Sequence, residues 1–597
     1  MCGIAGTFAY REAAPPVNRE ELLRVRERML SRGPDGQGLW VSADQRVALA
    51  HRRLAILDLS EAGAQPMHDA DTGNCIVFNG EIFNYPALRR ELESAGHEFR
   101  SHTDTEVLLK LYAIHGPDML RKLRGMYAFS IWDAADRTLF LARDPLGIKP
   151  LYYADDGRTL RFASQVKALL ASGAIDTEPE PAGHAGFFLW GTVPEPYTLY
   201  KRIRALPAGH WLRLSLGGSL SAPIGFDSVA DRLATASQSP SSLPEAESLS
   251  RIAEATRDSI RAHLLADVPV GVFLSSGLDS AMLACTAAHS GPVHTITLGF
   301  DEYRGSTNDE VPLAEDLAKR LAIHHNTVRI TAADFHADRT RLLDAMDQPS
   351  IDGVNTWFVA KAAASCGLKI SLSGLGGDEL FASYPSFEQV PLLRRRLAGL
   401  AGVPGLGRAF RVVSAPVLKH FTSSKYAGLL EYAGSLGGAY LLRRGLFMPW
   451  ELPEVMDPDM ARSGWQSLNT LPILARVTEG IANPRLAVSA LEMSCYMKNQ
   501  LLRDADWAGM AHSLEIRVPF ADIELISQTA PMFAGAPQLR KPTIAESVSE
   551  QLPSAFFQRG KTGFSMPVRN WQNDDMTLNF RGLRGWAKFV HSTSCPA

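Results

Sequence analysis

The chain has 597 residues, 46% of them hydrophobic and 21% charged, with a formal net charge of −3. A length of this order favours about two to four domains, each able to bury a core, and the near-balanced charge argues against nucleic acid or an anionic membrane as the main partner. Cysteines at 2, 75, 285, 366, 495 and 595 stand singly with no C-x-x-C pair, which speaks against a disulfide framework or zinc ribbon and fits a reducing compartment.

The opening MCGIAGTFAY has no charged leader or apolar h-region, and no later stretch approaches the roughly 18 apolar residues of a membrane span. The expectation is a soluble, unexported, cytosolic protein. Removal of the initiator Met before a small residue would leave Cys2 as the mature N-terminus, with a thiol beside a free α-amine.

From residue 1 to about 205 the pattern predicts short alternating strands, including Val47 to Ala50, Cys75 to Phe78, Met126 to Trp132 and Thr138 to Ala142. Arg19 to Ser31 and Thr105 to His115 carry apolar residues at helical spacing, so the region reads as a sheet-rich α+β domain. Residues 216 to 245, rich in Ser, Pro, Gly and Ala, read as a surface linker between domains 1–215 and 246–575. After it, the helix Glu247 to Leu264 alternates with apolar runs at Val268 to Leu274, Val293 to Leu298, Thr327 to Ile330 and Lys369 to Leu372. Strands separated by helix-length segments imply an α/β domain with a parallel sheet. Beyond about 385 the sequence turns mostly helical, and residues 576 to 597 read as a poorly ordered tail.

A cysteine with its own α-amine supplies nucleophile and base from one residue, since an α-amine pKa of about 8 leaves part of it unprotonated at neutral pH. Its context is MCGIAG, RGPDG from Arg32, AHRRLAILD from Ala50, FNGEIFNY from Phe78, HTDTEV from His102 and ARDPLGIKPLYY from Ala142. Six motifs in this order, covering residues 1 to 205, resemble the class II glutamine amidotransferase domain, an Ntn-hydrolase sandwich. The resemblance implies that Cys2 attacks the side-chain amide of glutamine, with Asn79 and the backbone N–H of Gly80 as oxyanion hole. It gives Arg53 the α-carboxylate and Asp104 the α-amine, with main-chain contacts around Leu57 and from Glu81. Many relatives carry His before RGPD; here it is Ser31.

In the second domain, PVGVFLSSGLDS runs from an apolar strand through a Ser/Gly loop into a helix near Asp279. Backbone N–H groups and a helix N-terminus make such a loop a phosphate cradle. With TITLGF from Thr295, LSGLGGDELF from Leu372, DADWAGMAHSLEIRVPF from Asp504 and KTGFSMP from Lys561, it resembles the ATP-pyrophosphatase-type domain of the asparagine synthetase family, to about residue 572. The resemblance implies ATP near Leu274, Leu298, Ser373 and Gly374, phosphates on Ser275, Ser276, Gly277, Asp279 and Ser280, Mg²⁺ on Asp279 and Asp378, and Lys561 on the departing pyrophosphate. The implied activity is a glutamine-hydrolysing ligase that adenylates aspartate and amidates it with ammonia passed internally. Homodimers are common in the family.

Three further positions depart from the family pattern. Ser276 stands where Gly is common, which would strain the loop if φ were positive there. Leu375 stands where relatives carry an acidic residue, and Ile351 falls near an arginine that some use on the acceptor carboxylate. Glu379 is the neighbouring acid. The same chemistry on another carboxylate, such as a uronic acid, a peptide or a specialised metabolite, is the alternative reading. A sugar-phosphate amidotransferase would share the first domain without SSGLDS or KTGFSMP.

Overall fold

The structure is a computed structural model, which describes residues 2–401, 405–421, 423–549, 551–559, 571 and 582–594. The first domain stacks two six-stranded antiparallel sheets. One runs in the order Ile203–Ala205, Tyr152–Asp155, Thr159–Ala163, Gly3–Ala9, Val47–Arg53, Gly36–Val41; the other runs Ile224–Gly225, His210–Ser215, Thr138–Arg143, Gly125–Asp133, Cys75–Ile82, Met67–His68.

Strand alternation explains the layers. In Cys75–Ile82, Cys75 and Val77 pack with Ile4, Phe8 and Leu49 of the facing sheet, while Ile76 and Phe78 pack under the helix Asp104–His115. Both faces are buried, because side chains two apart share a face and each face has its own cover. The helix Arg19–Arg28 covers the outer face of the first sheet through Leu22 and Val25, against Ala48 and Ala50. The result is the α+β sandwich expected for the first domain, with helices on the outer faces of both sheets.

The second domain is built on a parallel sheet in the order His324–Ile330, His294–Phe300, Val270–Phe273, Ile370–Leu372, Glu515–Arg517. The chain leaves Val270–Phe273 toward one edge and later returns on its other side. That reversal makes the carboxyl end of Val270–Phe273 a topological switch point, where doubly wound folds open a crevice. The main hydrophobic core continues across the domain boundary, joining Leu54, Met126 and Ile148 to the second domain's interior. Among the described residues, no helix is long and apolar enough to cross a membrane.

Two segments differ from the sequence expectation. Residues 216–245, read as a linker, contain the helix Val229–Gln238, capped by Ser228 and burying Val229, Leu233 and Ala236. Its apolar positions recur at helical spacing, and it packs on the helix Ile523–Gly535. Within residues 576–597, read as a disordered tail, Leu583–Ser594 is a helix that buries Trp586, Ala587 and Val590. Three apolar residues on one stripe give it a tertiary anchor that polar neighbours such as Arg584, Lys588 and Ser592 obscure in sequence.

Candidate active site

Cys2 sits at the head of Gly3–Ala9, a central strand of its sheet, and is buried. Its backbone N–H donates to Asn79 Oδ1 at 2.9 Å, and its carbonyl accepts from Arg32 Nε at 3.1 Å. Burial pushes the thiol pKa up. Asn79 arrives from the opposite sheet, fully buried, and its Nδ2 has no hydrogen-bond partner among the described residues. A buried amide donor without a partner costs stability, so this one is placed for a group that arrives. At Gly80 a Cβ would lie 2.2 Å from the carbonyl oxygen of Met126, so only glycine lets the two strands close there.

Arg53 ends the strand Val47–Arg53, and its guanidinium donates to the carbonyl of Ser60 at 2.8 Å and to that of Asp58, with the Leu57 carbonyl at 3.5 Å. The Asp58 carboxylate in turn accepts from the N–H of His102 at 2.8 Å, drawing the segment that carries Asp104 against the Arg53 loop. Asp104 accepts from the N–H of Ile82 at 2.9 Å, next to Glu81. Burial raises the Asp104 pKa to about 7. The structure thus gathers Cys2, Arg53, Leu57, Asn79, Gly80, Glu81 and Asp104 at one end of the sandwich, facing the second domain. Glu81 lies 3.6 Å from the guanidinium of Arg517 across the boundary.

The second constellation lies at the switch point, around a cavity of about 1160 Å³. Leu274, Ser275, Ser276, Gly277, Asp279, Ser280, Leu298, Ser373, Gly374 and Asp378 all line it. The loop is closed by its own serines: Ser280 Oγ accepts from the N–H of Ser275 at 3.0 Å, and Ser275 Oγ accepts from the N–H of Gly277 at 3.1 Å. Ser276 does not have a positive φ, so serine there carries none of the strain considered from sequence. At Gly377 a Cβ would stand 2.3 Å from Asp279 Oδ1, so glycine lets the Asp378 turn approach Asp279. Lys561 lies outside the described residues.

Lys541, absent from the sequence reading, lies between these carboxylates. Its ammonium donates to Asp378 at 2.7 Å and also to Asp279. No motif flagged it, because its partners are far away in sequence.

Leu375 and Ile351 line the same cavity, as do the acids Asp352, Asp504 and Glu379. Asp504 accepts from Ser350 Oγ at 2.9 Å and Trp507 Nε1 at 2.7 Å, yet burial, with Asp352 alongside, pushes its pKa up to about 8. Glu379 accepts from the Tyr384 hydroxyl at 3.0 Å while its Oε2 has no hydrogen-bond partner among the described residues. Among the described residues, the cations of the cavity, Arg540, Lys541 and Arg559, come from the chain after residue 539, and the Asp352 and Asp504 wall contributes none.

Comparison with known proteins matches both domains. Residues 1–222 match the family described as Glutamine amidotransferase domain, and residues 251–582 match the family described as Asparagine synthase. Asparagine synthetase [glutamine-hydrolyzing] 1 of Bacillus subtilis (strain 168) is 30% identical over 591 residues, covering 98% of this chain and 90% of the relative. A putative asparagine synthetase [glutamine-hydrolyzing] of Mycobacterium bovis is 32% identical over 608 residues, covering 96% of this chain and 88% of the relative. Asparagine synthetase B [glutamine-hydrolyzing] of Escherichia coli (strain K12) is 30% identical over 412 residues, covering 66% of each chain. With an amidotransferase sandwich and a synthetase domain matched along nearly its whole length, the chain belongs to the asparagine synthetase family.

Proposed function

We propose that this protein hydrolyses glutamine at Cys2 and uses the ammonia to convert aspartate to asparagine through an acyl-adenylate made from ATP, releasing AMP and pyrophosphate. The observation that carries the first half is Asn79 Nδ2 beside Cys2, buried with no hydrogen-bond partner among the described residues. With the initiator Met removed, the α-amine of Cys2 takes the thiol proton, the sulfur attacks the amide carbon, and Asn79 Nδ2 with the Gly80 N–H receives the developing oxyanion. The proton passes to the leaving nitrogen, ammonia departs, and water hydrolyses the thioester to glutamate. Arg53 and Asp104 suit the α-carboxylate and α-ammonium of glutamine by charge.

In the second domain the acceptor carboxylate attacks the α-phosphorus of ATP and pyrophosphate leaves. The Ser275 to Ser280 loop offers N–H groups and hydroxyls to the phosphates. Asp279 and Asp378 fit Mg²⁺, because they already converge on one cation, the Lys541 ammonium, and Mg²⁺ needs only one or two carboxylates beside substrate phosphates. Bound there, the ion would neutralise phosphate charge. Asp352 and Asp504 form an acidic wall suited to the α-ammonium of the amino acid. Ammonia then attacks the adenylate carbonyl and AMP leaves; the apolar core shared across the boundary supports passage away from bulk water, where protonation would remove its nucleophilicity.

The test is pyrophosphate release and asparagine formation with glutamine, ATP and Mg²⁺, adding aspartate or other carboxylates one at a time. Aspartate-dependent release with asparagine as product is expected; stimulation by a different acid alone would overturn the acceptor assignment.

A further inference from the structure

Arg32 is fully buried and uses all three of its guanidinium nitrogens. Nε donates to the Cys2 carbonyl at 3.1 Å, while Nη1 and Nη2 fork onto the two carboxylate oxygens of Asp506 at 2.7 and 2.9 Å. Asp506 belongs to the synthetase domain, on the helix Leu502–Met510, 474 residues along the chain from Arg32. Beside this fork, Ser513 Oγ donates to the carbonyl of Ser31 at 2.7 Å. The turn Leu30–Arg32 is therefore braced from the second domain at two consecutive residues.

The ladder between the strands Gly3–Ala9 and Val47–Arg53 begins at Gly3, which pairs with Arg52. Cys2 lies outside it. Its backbone orientation rests on the N–H bond to Asn79 and the carbonyl bond from Arg32. A guanidinium free to rotate would hold that carbonyl loosely; a bidentate carboxylate fixes the plane of the fork and so the direction of Nε. Burial strengthens the fixation, because neither charge has water as an alternative partner.

We propose that Asp506 is a positioning residue for the nucleophile: through Arg32 it sets the orientation of Cys2, so that the glutamine-hydrolysing site is completed by the synthetase domain. This rests on the reading of Cys2 as nucleophile. Asp506 bonds Arg32 rather than Cys2, and its effect is transmitted through the Arg32 fork.

The experiment compares wild type, Asp506→Asn, Cys2→Ala and the double variant Arg32→Met with Asp506→Leu in the full chain. The readouts are kcat and KM for glutamine hydrolysis, the rate of Cys2 alkylation by iodoacetamide, pyrophosphate release with ammonium chloride replacing glutamine, and thermal melting. Asp506→Asn is expected to lower kcat for glutamine hydrolysis about 10- to 100-fold, as displacements of order 1 Å do, with KM changed less than about threefold and a slower alkylation rate. Ammonium-dependent release should persist. The double variant replaces a buried ion pair with apolar groups of similar volume, a change that proteins tolerate; it should melt near wild type yet hydrolyse glutamine as slowly as Asp506→Asn. Should Asp506→Asn fail to fold, the double variant decides alone. Wild-type kcat in the double variant, or in a folded Asp506→Asn, would reduce the pair to packing and overturn the proposal. Glutamine hydrolysis surviving Cys2→Ala would instead remove the nucleophile reading on which it rests.

Discussion

Lys541 donates to Asp378 at 2.7 Å across 163 residues of sequence, and the same ammonium also reaches Asp279. The ammonium compensates two carboxylates that the chain brings together through glycines, at the place proposed above for Mg²⁺. Lys541→Met removes that ammonium from the pair. In the absence of nucleotide, Mg²⁺ is expected to raise the melting temperature of Lys541→Met more than that of wild type, because binding to the folded state stabilises by mass action. Equal Mg²⁺ responses in a melting titration would show that the lysine and the ion do not share a place.

On the amidotransferase side, Asn79→Ala removes both the acceptor for the Cys2 N–H and the unpartnered donor. Loss of one oxyanion-hole donor costs about 3 to 4 kcal/mol, so kcat for glutamine hydrolysis should fall about 10²- to 10³-fold. Ammonium-dependent pyrophosphate release should stay near wild type. Steady-state glutamate production measures the first and a coupled pyrophosphate assay the second; a fall below tenfold would take Asn79 out of the oxyanion hole.

Asp104 gives a pH signature. Burial holds its carboxyl at a pKa of about 7, and only the ionised form attracts an α-ammonium. KM for glutamine is therefore expected to rise as pH falls below about 7, with the change carried in KM more than in kcat. Asp104→Asn should raise KM above about pH 7, where wild-type Asp104 is ionised, and flatten that dependence. Measuring both constants across the range checks this, and a pH-independent wild-type KM would contradict the assignment.

The strand and helix content of both domains was legible because burial writes itself locally: the unbroken apolar run Cys75, Ile76, Val77 and Phe78 reads as a strand covered on both faces. The Ser/Gly loop before Asp279 was legible for the same reason, since a phosphate cradle is made by one short segment. Lys541, Asp504 and Asp506 were not, because each acts through partners brought near by the fold. A lysine two aspartates will share looks like any helix-starting lysine until residues 279, 378 and 541 meet. The helix Leu583–Ser594 carried its signal in Trp586, Ala587 and Val590, yet a stripe that short is outweighed by its polar surroundings.

Asp504 allows a stability effect and an acceptor effect to be tested in one variant. Its folded pKa of about 8 lies above an unfolded value of about 3.9, so between these the folded state binds the extra proton and stability falls as pH rises through the window. The penalty is complete above the folded value and absent below the unfolded one. Asp504→Asn removes the titrating group, and the melting temperature of the substrate-free protein should fall less steeply between about pH 5 and pH 8 than in wild type. If Asp504 also meets the acceptor's ammonium, the same variant loses a charge-assisted hydrogen bond of about 1.5 to 3 kcal/mol. KM for aspartate then rises about 10- to 100-fold, while glutamine hydrolysis without acceptor is unchanged. The two effects separate cleanly. A flatter melting profile with an unaltered KM would keep Asp504 as a buried acid and remove it from the acceptor site, leaving the ammonium to Asp352 and Glu379.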